Sequence, residues 1–122
     1  MEDKWNEVFE NKIKEDLQEL LVCLCSSQCR SLKIEIFNKE ITLAGEDFGE
    51  ECYKMSGKRV YEYYYKLKEE QTWHFLGELR IEYGTEKSIE DILQEKFSGD
   101  EGSLKFLRYC EKIGETPQFF CF

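Results

Sequence analysis

The alternation across residues 58–83, KRVYEYYYKLKEEQTWHFLGELRIEY, constrains what this chain can fold into more than any other stretch. Odd positions carry Tyr61, Tyr63, Tyr65, Leu67, Trp73, Phe75, Leu79, Ile81 and Tyr83. Even positions carry mostly Glu62, Lys66, Lys68, His74, Glu78, Arg80 and Glu82. Successive side chains of a strand point to opposite faces, so this two-residue period is that of half-buried strands. Two such strands joined at Glu69-Glu70-Gln71 make an antiparallel hairpin. Keeping apolar residues on one face then sets Leu67 against Trp73, Tyr65 against Phe75, Tyr63 over Gly77 and Tyr61 against Leu79. A five-residue loop, with Glu62 opposite Arg80, is the alternative register.

Three further segments complete an α+β reading. Trp5, Val8, Phe9, Ile13, Leu17, Leu20, Leu21 and Leu24 recur at helical spacing, which predicts a long N-terminal helix ending near Ser26-Ser27-Gln28. Leu32, Ile34 and Ile36 alternate with Lys33 and Glu35, and Ile41 and Leu43 with Glu40 and Thr42. A two-residue turn at Asn38-Lys39 pairs Ile36 with Ile41 and Ile34 with Leu43. Residues 45–57, with three glycines and no period, read as an exposed loop carrying at most one helical turn. Thr85 or Ser88 can cap a helix, Ser88 with Asp91 at capping-box spacing, and Ser103 with Gly114 brackets a second helix. Pro117 introduces an apolar Phe119-Phe120-Cys121-Phe122 that docks on the core or forms an edge strand. The expectation is one domain over residues 1–122, with four antiparallel strands in two hairpins, a long N-terminal helix and two C-terminal helices.

Charge narrows the partners. The 122 residues carry a formal net charge of −9. Residues 1–20 hold seven acids against three bases, 45–56 four against one, and 85–102 six against two, whereas 58–83 is balanced with five of each. Such a field repels a nucleic-acid backbone and favours a basic protein partner. No apolar run approaches the roughly 20 residues of a membrane helix, and Met1-Glu2-Asp3-Lys4 lacks the layout of a signal peptide. A cytoplasmic chain with reduced cysteines is therefore expected.

The search for chemistry comes back mostly empty. Cys23, Cys25 and Cys29 form C-x-C-x3-C, but helical geometry points the first two about 200° apart and no second cluster completes four ligands. They read as buried structural thiols, without metal or cofactor. His74, the single histidine, falls on the polar face of the hairpin as a partly exposed side chain. Asp47-Phe48-Gly49 matches a kinase tripeptide without the accompanying loops, and no phosphate or dinucleotide fingerprint is present.

Surface features remain. Phe48 lies between Glu46-Asp47 and Glu50-Glu51, an aromatic ringed by acids, which suits an interface anchor with a charged rim or a loop side chain folded back on the core. Tyr64 and Leu76 interrupt the polar face of the hairpin at facing positions; either a helix covers that face or the two form a small exposed patch. Partner contact is thus assigned to Glu46, Asp47, Phe48, Glu50, Glu51, Tyr64 and Leu76. The size, charge and lack of catalytic machinery resemble those of toxin-immunity proteins and phage-encoded antagonists of nucleic-acid-handling enzymes. The expected function is a non-enzymatic acidic inhibitor of a basic partner. A dedicated chaperone for a secreted effector, and a small-ligand or enzyme domain, are the alternatives. The cytosolic reading predicts six free thiols on titration under denaturing, non-reducing conditions; a disulfide or stoichiometric zinc in the purified protein would overturn it.

Overall fold

The computed structural model describes residues 2–49, 57 and 60–122, with side chains from residue 7 onward. The order is α1 (Glu2–Asp16), β1 (Leu20–Ser26), β2 (Arg30–Phe37), β3 (Glu40–Phe48), β4 (Val60–Leu67), α2 (Glu69–Tyr83), α3 (Ile89–Phe97), α4 (Gly102–Ile113) and β5 (Gln118–Cys121). The five strands form one antiparallel sheet in the order β1-β2-β3-β4-β5. The α+β architecture with an antiparallel sheet is as expected. The strand count is five rather than four, and two segments change type.

The β2–β3 hairpin forms as the side-chain pattern dictates. Ile36 pairs with Ile41 and Ile34 with Leu43, and Asn38 and Lys39 both take positive φ, 51° and 63°. Two consecutive positive φ values mark a type I′ turn, whose twist matches that of the strands it joins. Ser88 caps α3 by accepting from the Asp91 backbone N–H at 3.1 Å, and left-handed Gly114 ends α4.

The second hairpin does not form. Residues 69–83 are α2, and its buried positions are Thr72, Phe75, Leu76, Leu79 and Arg80. Their spacing of three, four, seven and eight residues is one face of a helix. The odd-position aromatics had matched a strand because Phe75 and Leu79 satisfy both periods; Thr72, Leu76 and Arg80 satisfy only the helical one. Tyr63 consequently covers Gly45 of β3, where a Cβ would collide with its ring, and not Gly77. The N-terminal helix also stops early, at Asp16. Leu20–Ser26 is a strand beside β2, with Val22 and Leu24 buried and Leu21 and Cys23 exposed. A short continuous apolar run reads alike for buried helix and strand, and pairing decided it here. Val8, placed on the apolar face of α1, is exposed; the side chain of Trp5 lies outside the described residues.

All helix packing falls on one side of the sheet. Ile34, Ile36, Ile41, Leu43 and Leu67 meet Phe75, Leu76 and Leu79 in a single apolar cluster. Phe75 stands at its centre, 5.8 Å from the Phe97 ring, 5.4 Å from Phe106 and 5.3 Å from Tyr109, so α2, α3 and α4 share one aromatic core. Thr72 stitches this layer to the sheet, accepting from the Ile41 N–H at 3.1 Å and donating to the Leu67 carbonyl at 3.3 Å.

One charge lies within that core. Arg80 is 0% exposed and forks onto Asp16, Nε to Oδ2 and Nη2 to Oδ1 at 2.8 Å each. Its Nη1 donates to the carbonyls of Gly84 and Lys87 at 3.2 and 2.6 Å. Removing one member of a buried pair leaves the other desolvated and uncompensated. Asp16→Ala should therefore lower unfolding free energy by about 3–5 kcal/mol in urea titration. Asp16→Asn, which keeps one acceptor oxygen, should lose less.

Candidate partner-binding surface

Strand parity assigns each side chain of the sheet to a side. In β3, Ile41, Leu43 and Gly45 are buried toward the helices, so Thr42, Ala44, Glu46 and Phe48 point away from them. In β4, Tyr63 and Leu67 face the helices, which puts Glu62, Tyr64 and Lys66 on the outer face. The registers then stack these residues in rows. Phe48 is opposite Val60, Glu46 opposite Glu62, Ala44 opposite Tyr64 and Thr42 opposite Lys66. β5 extends the rows, with Phe120 beside Tyr64 and Phe122 hydrogen-bonded through its backbone to Glu62. The Phe122 and Tyr64 rings meet edge to face at 5.8 Å.

The outer face thus carries an acidic pair, Glu46 and Glu62, flanked by Phe48 and Val60 on one side and by Tyr64, Phe120 and Phe122 on the other. Beside it, toward β2, lies a hollow of about 320 Å³ lined by Ser31, Lys33, Glu35, Thr42, Glu46 and Tyr64. Like charges directly opposite on neighbouring strands destabilise a sheet, by about 0.2–1 kcal/mol. A cation placed over the pair reverses that term.

The residues assigned from sequence scatter accordingly. Glu46, Phe48 and Tyr64 come together on the outer face, on strands rather than on a loop. Asp47 turns to the opposite side, where Arg30 forks onto it at 2.6 and 3.1 Å and also donates to the Asp100 carbonyl at 2.7 Å. The Arg30 guanidinium thereby ties the start of β2 to the end of β3 and to the α3–α4 connection. Leu76 is 0% exposed in α2, so its place beside Tyr64 on a sheet face is corrected: it is core. Glu50 and Glu51, like the helical turn allowed for 45–57, lie outside the described residues. Val60, Glu62, Phe120 and Phe122 were missed. The signal for the two phenylalanines was their apolar cluster, which offered docking on the core or an edge strand without naming a neighbour.

The other chemistry is structural. His74 is half-exposed on α2, not on a sheet, with Nδ1 2.7 Å from Glu115 and Nε2 3.5 Å from Glu78. Among the described residues no group of His, Cys, Asp and Glu could hold a metal ion, and no helix is long and apolar enough to cross a membrane. The cysteines differ from the buried set expected: Cys23, Cys29 and Cys121 are exposed, Cys25 is half-buried, and Cys110 alone of those described is buried. Strand geometry explains Cys23, which alternates outward between Val22 and Leu24. Comparison with protein-family models, curated proteins and solved structures finds no match for this chain.

Burial pushes the Cys110 thiol up from 9.0 to about 12, with Glu115 adding to the shift, and burial raises the neighbouring Tyr109 phenol as well. The fold holds both neutral, whereas the unfolded chain ionises them at their ordinary values. Their contribution is intact below pH 9 and fades as pH climbs toward 12. Melting temperature should fall across that window, and less steeply in Cys110→Ala than in the unsubstituted chain. Equal slopes would show that this thiol ionises in the native state.

Proposed function

We propose that this chain is a non-enzymatic acidic binding protein that docks on a basic protein partner through the helix-free face of its sheet, in the manner of an inhibitor or immunity-type protein. The observation that carries the proposal is Glu46 set directly opposite Glu62 on an outer face where Tyr64, Phe120 and Phe122 stand beside Thr42, Lys33 and Lys66. A pair of like charges with a stability cost in the free protein suits a lysine or arginine supplied by a partner. Tyr64, Phe120 and Phe122 supply apolar area beside the acids, the arrangement of an anchor and a charged rim. The hollow lined by Ser31, Lys33, Glu35, Thr42, Glu46 and Tyr64 offers two carboxylates against the one cation of Lys33, with hydroxyl oxygens beside them, to one extended basic side chain. The net charge of −9 steers encounter in the same sense. A nucleic-acid-handling enzyme or toxin, whose substrate site is basic by necessity, is the partner class that fits such a field, and masking that site would inhibit it.

Capture from the native host at low salt, followed by kinetic measurement with the captured protein, tests this reading. Glu46→Gln with Glu62→Gln should slow association and flatten its salt dependence, while leaving the melting temperature of the free protein unchanged or slightly higher. Phe122→Ala should act mainly on dissociation, costing on the order of 2 kcal/mol of binding. Phe48→Ala separates its two roles: a large drop in melting temperature makes it a plug at the end of the sheet, and faster dissociation with an unchanged melt makes it part of the interface. Binding that is indifferent to Glu46, Glu62 and Phe122 would remove this face as the site.

A further inference from the structure

Among the described residues, one edge of the sheet has no neighbouring strand. β5 is its last strand, and the Phe122 and Glu62 backbones exchange both hydrogen bonds, at 2.8 and 3.4 Å. Bonded and non-bonded pairs alternate along an antiparallel ladder. Phe120 and Phe122 therefore turn their N–H and C=O groups toward β4, and Phe119 and Cys121 turn theirs away from it. The other edge differs: the Leu24 carbonyl of β1 accepts from the Gly99 N–H at 2.9 Å, and α3 packs beside that strand. Exposed edges are ordinarily guarded by charged side chains. Residues 118–122 carry none, in a chain of net charge −9. They present instead Phe119 at 47%, Phe120 at 39% and Phe122 at 64% exposure.

We propose that the occupant of this edge is a second copy of the same chain, joined antiparallel through β5 to make one continuous ten-stranded sheet. The geometry selects the register. Only residues 119 and 121 of each copy offer outward groups within the strand, and Pro117 has no N–H to extend the ladder. Both are used in each copy when Phe119 faces Cys121 of the second copy, which gives four backbone hydrogen bonds about a two-fold axis through Phe120. The side chains agree with that register. On the helix side Phe119, already against Tyr65 at a ring distance of 4.9 Å, meets a small cysteine. On the outer face the two Phe120 rings occupy a non-hydrogen-bonded pair, where cross-strand side chains approach most closely. No charged side chain of either edge strand faces another across the seam. The contact between copies is made by the edge backbone with Phe119, Phe120 and Cys121, and it does not require the partner proposed for the sheet face.

Sedimentation equilibrium of the full chain, purified alone and under reducing conditions, should give twice the mass of 14.6 kDa, falling toward one chain on dilution. Amide exchange on the same protein carries the sharper expectation. The Phe119 and Cys121 amides should be protected at high concentration and exposed on dilution, while those of Phe120 and Phe122 stay protected throughout. Cys121→Pro removes an outward donor and leaves the β4 ladder intact, so it should be monomeric with a native melt. A monomer at every concentration would overturn the proposal. So would a dimer in which Phe119 and Cys121 exchange independently of concentration, or one that persists in folded Cys121→Pro. The exchange pattern is read on the unsubstituted chain and decides the matter even where the proline variant fails to fold.

Discussion

The Arg80–Asp16 pair is the constraint on which the helical layer depends. A guanidinium has five N–H groups and a charge that cannot be shed, so its burial is tolerated only where each side of the group meets an oxygen. Here two contacts go to a carboxylate at the end of α1 and two to carbonyls in the α2–α3 connection. Each contact fixes a different segment. The pair sets where α1 stops, how α2 lies against it, and the path the chain takes from Gly84 toward the cap of α3. Apolar packing between the same helices would be less particular, because it has no directional requirement.

With the three C-terminal helices on one side of the sheet, its two faces become unlike. The covered side has aliphatic residues from every strand through β4 and the Phe75-centred aromatic group. The other keeps the alternate residues of the same strands, among them Glu46, Glu62, Tyr64 and Lys66. This asymmetry follows from connectivity. β1, β2 and β3 follow one another through links of three and two residues, while α2, α3 and α4 all fall between β4 and β5 and pack together before the chain returns as the edge strand. An antiparallel sheet tolerates one solvated face, and the aromatic and acidic side chains on this one are the basis of the contact proposed for it. β5 supplies Phe120 and Phe122 to that face and, among the described residues, an edge without a neighbouring strand.

The sequence errors share one physical origin. A period of two and a period of 3.6 coincide over short spans, and Phe75 and Leu79 fit either. The residue that breaks the tie, Arg80, reads as solvent-facing because its burial depends on Asp16, 64 positions away. The apolar run at Leu20–Ser26 fits a buried helix or a strand equally, and only β2 beside it settles the matter. Asp47 read as one acid among several, but Arg30 removes it from the site by a contact that no local pattern announces.

What the sequence by itself determined are the features that local chemistry sets. These are the β2–β3 register from the Ile34/Ile36 and Ile41/Leu43 alternation, the Asn38-Lys39 turn, the Ser88 cap, the Gly114 stop, and the antiparallel α+β class. It also placed Glu46, Phe48 and Tyr64 among the candidate contacts, Phe48 because acids flank it and Tyr64 because it interrupts a polar face; both are half-buried. Only the tertiary structure decided that these three share a face, that Glu62 and Phe122 join them, and that Leu76 and Asp47 do not. Side-chain direction on a strand depends on parity relative to a core, and the core is defined by where α2 packs. That choice was made by Phe75, Leu76, Leu79 and the burial of Arg80 acting together, a cooperative condition that no single window of sequence contains.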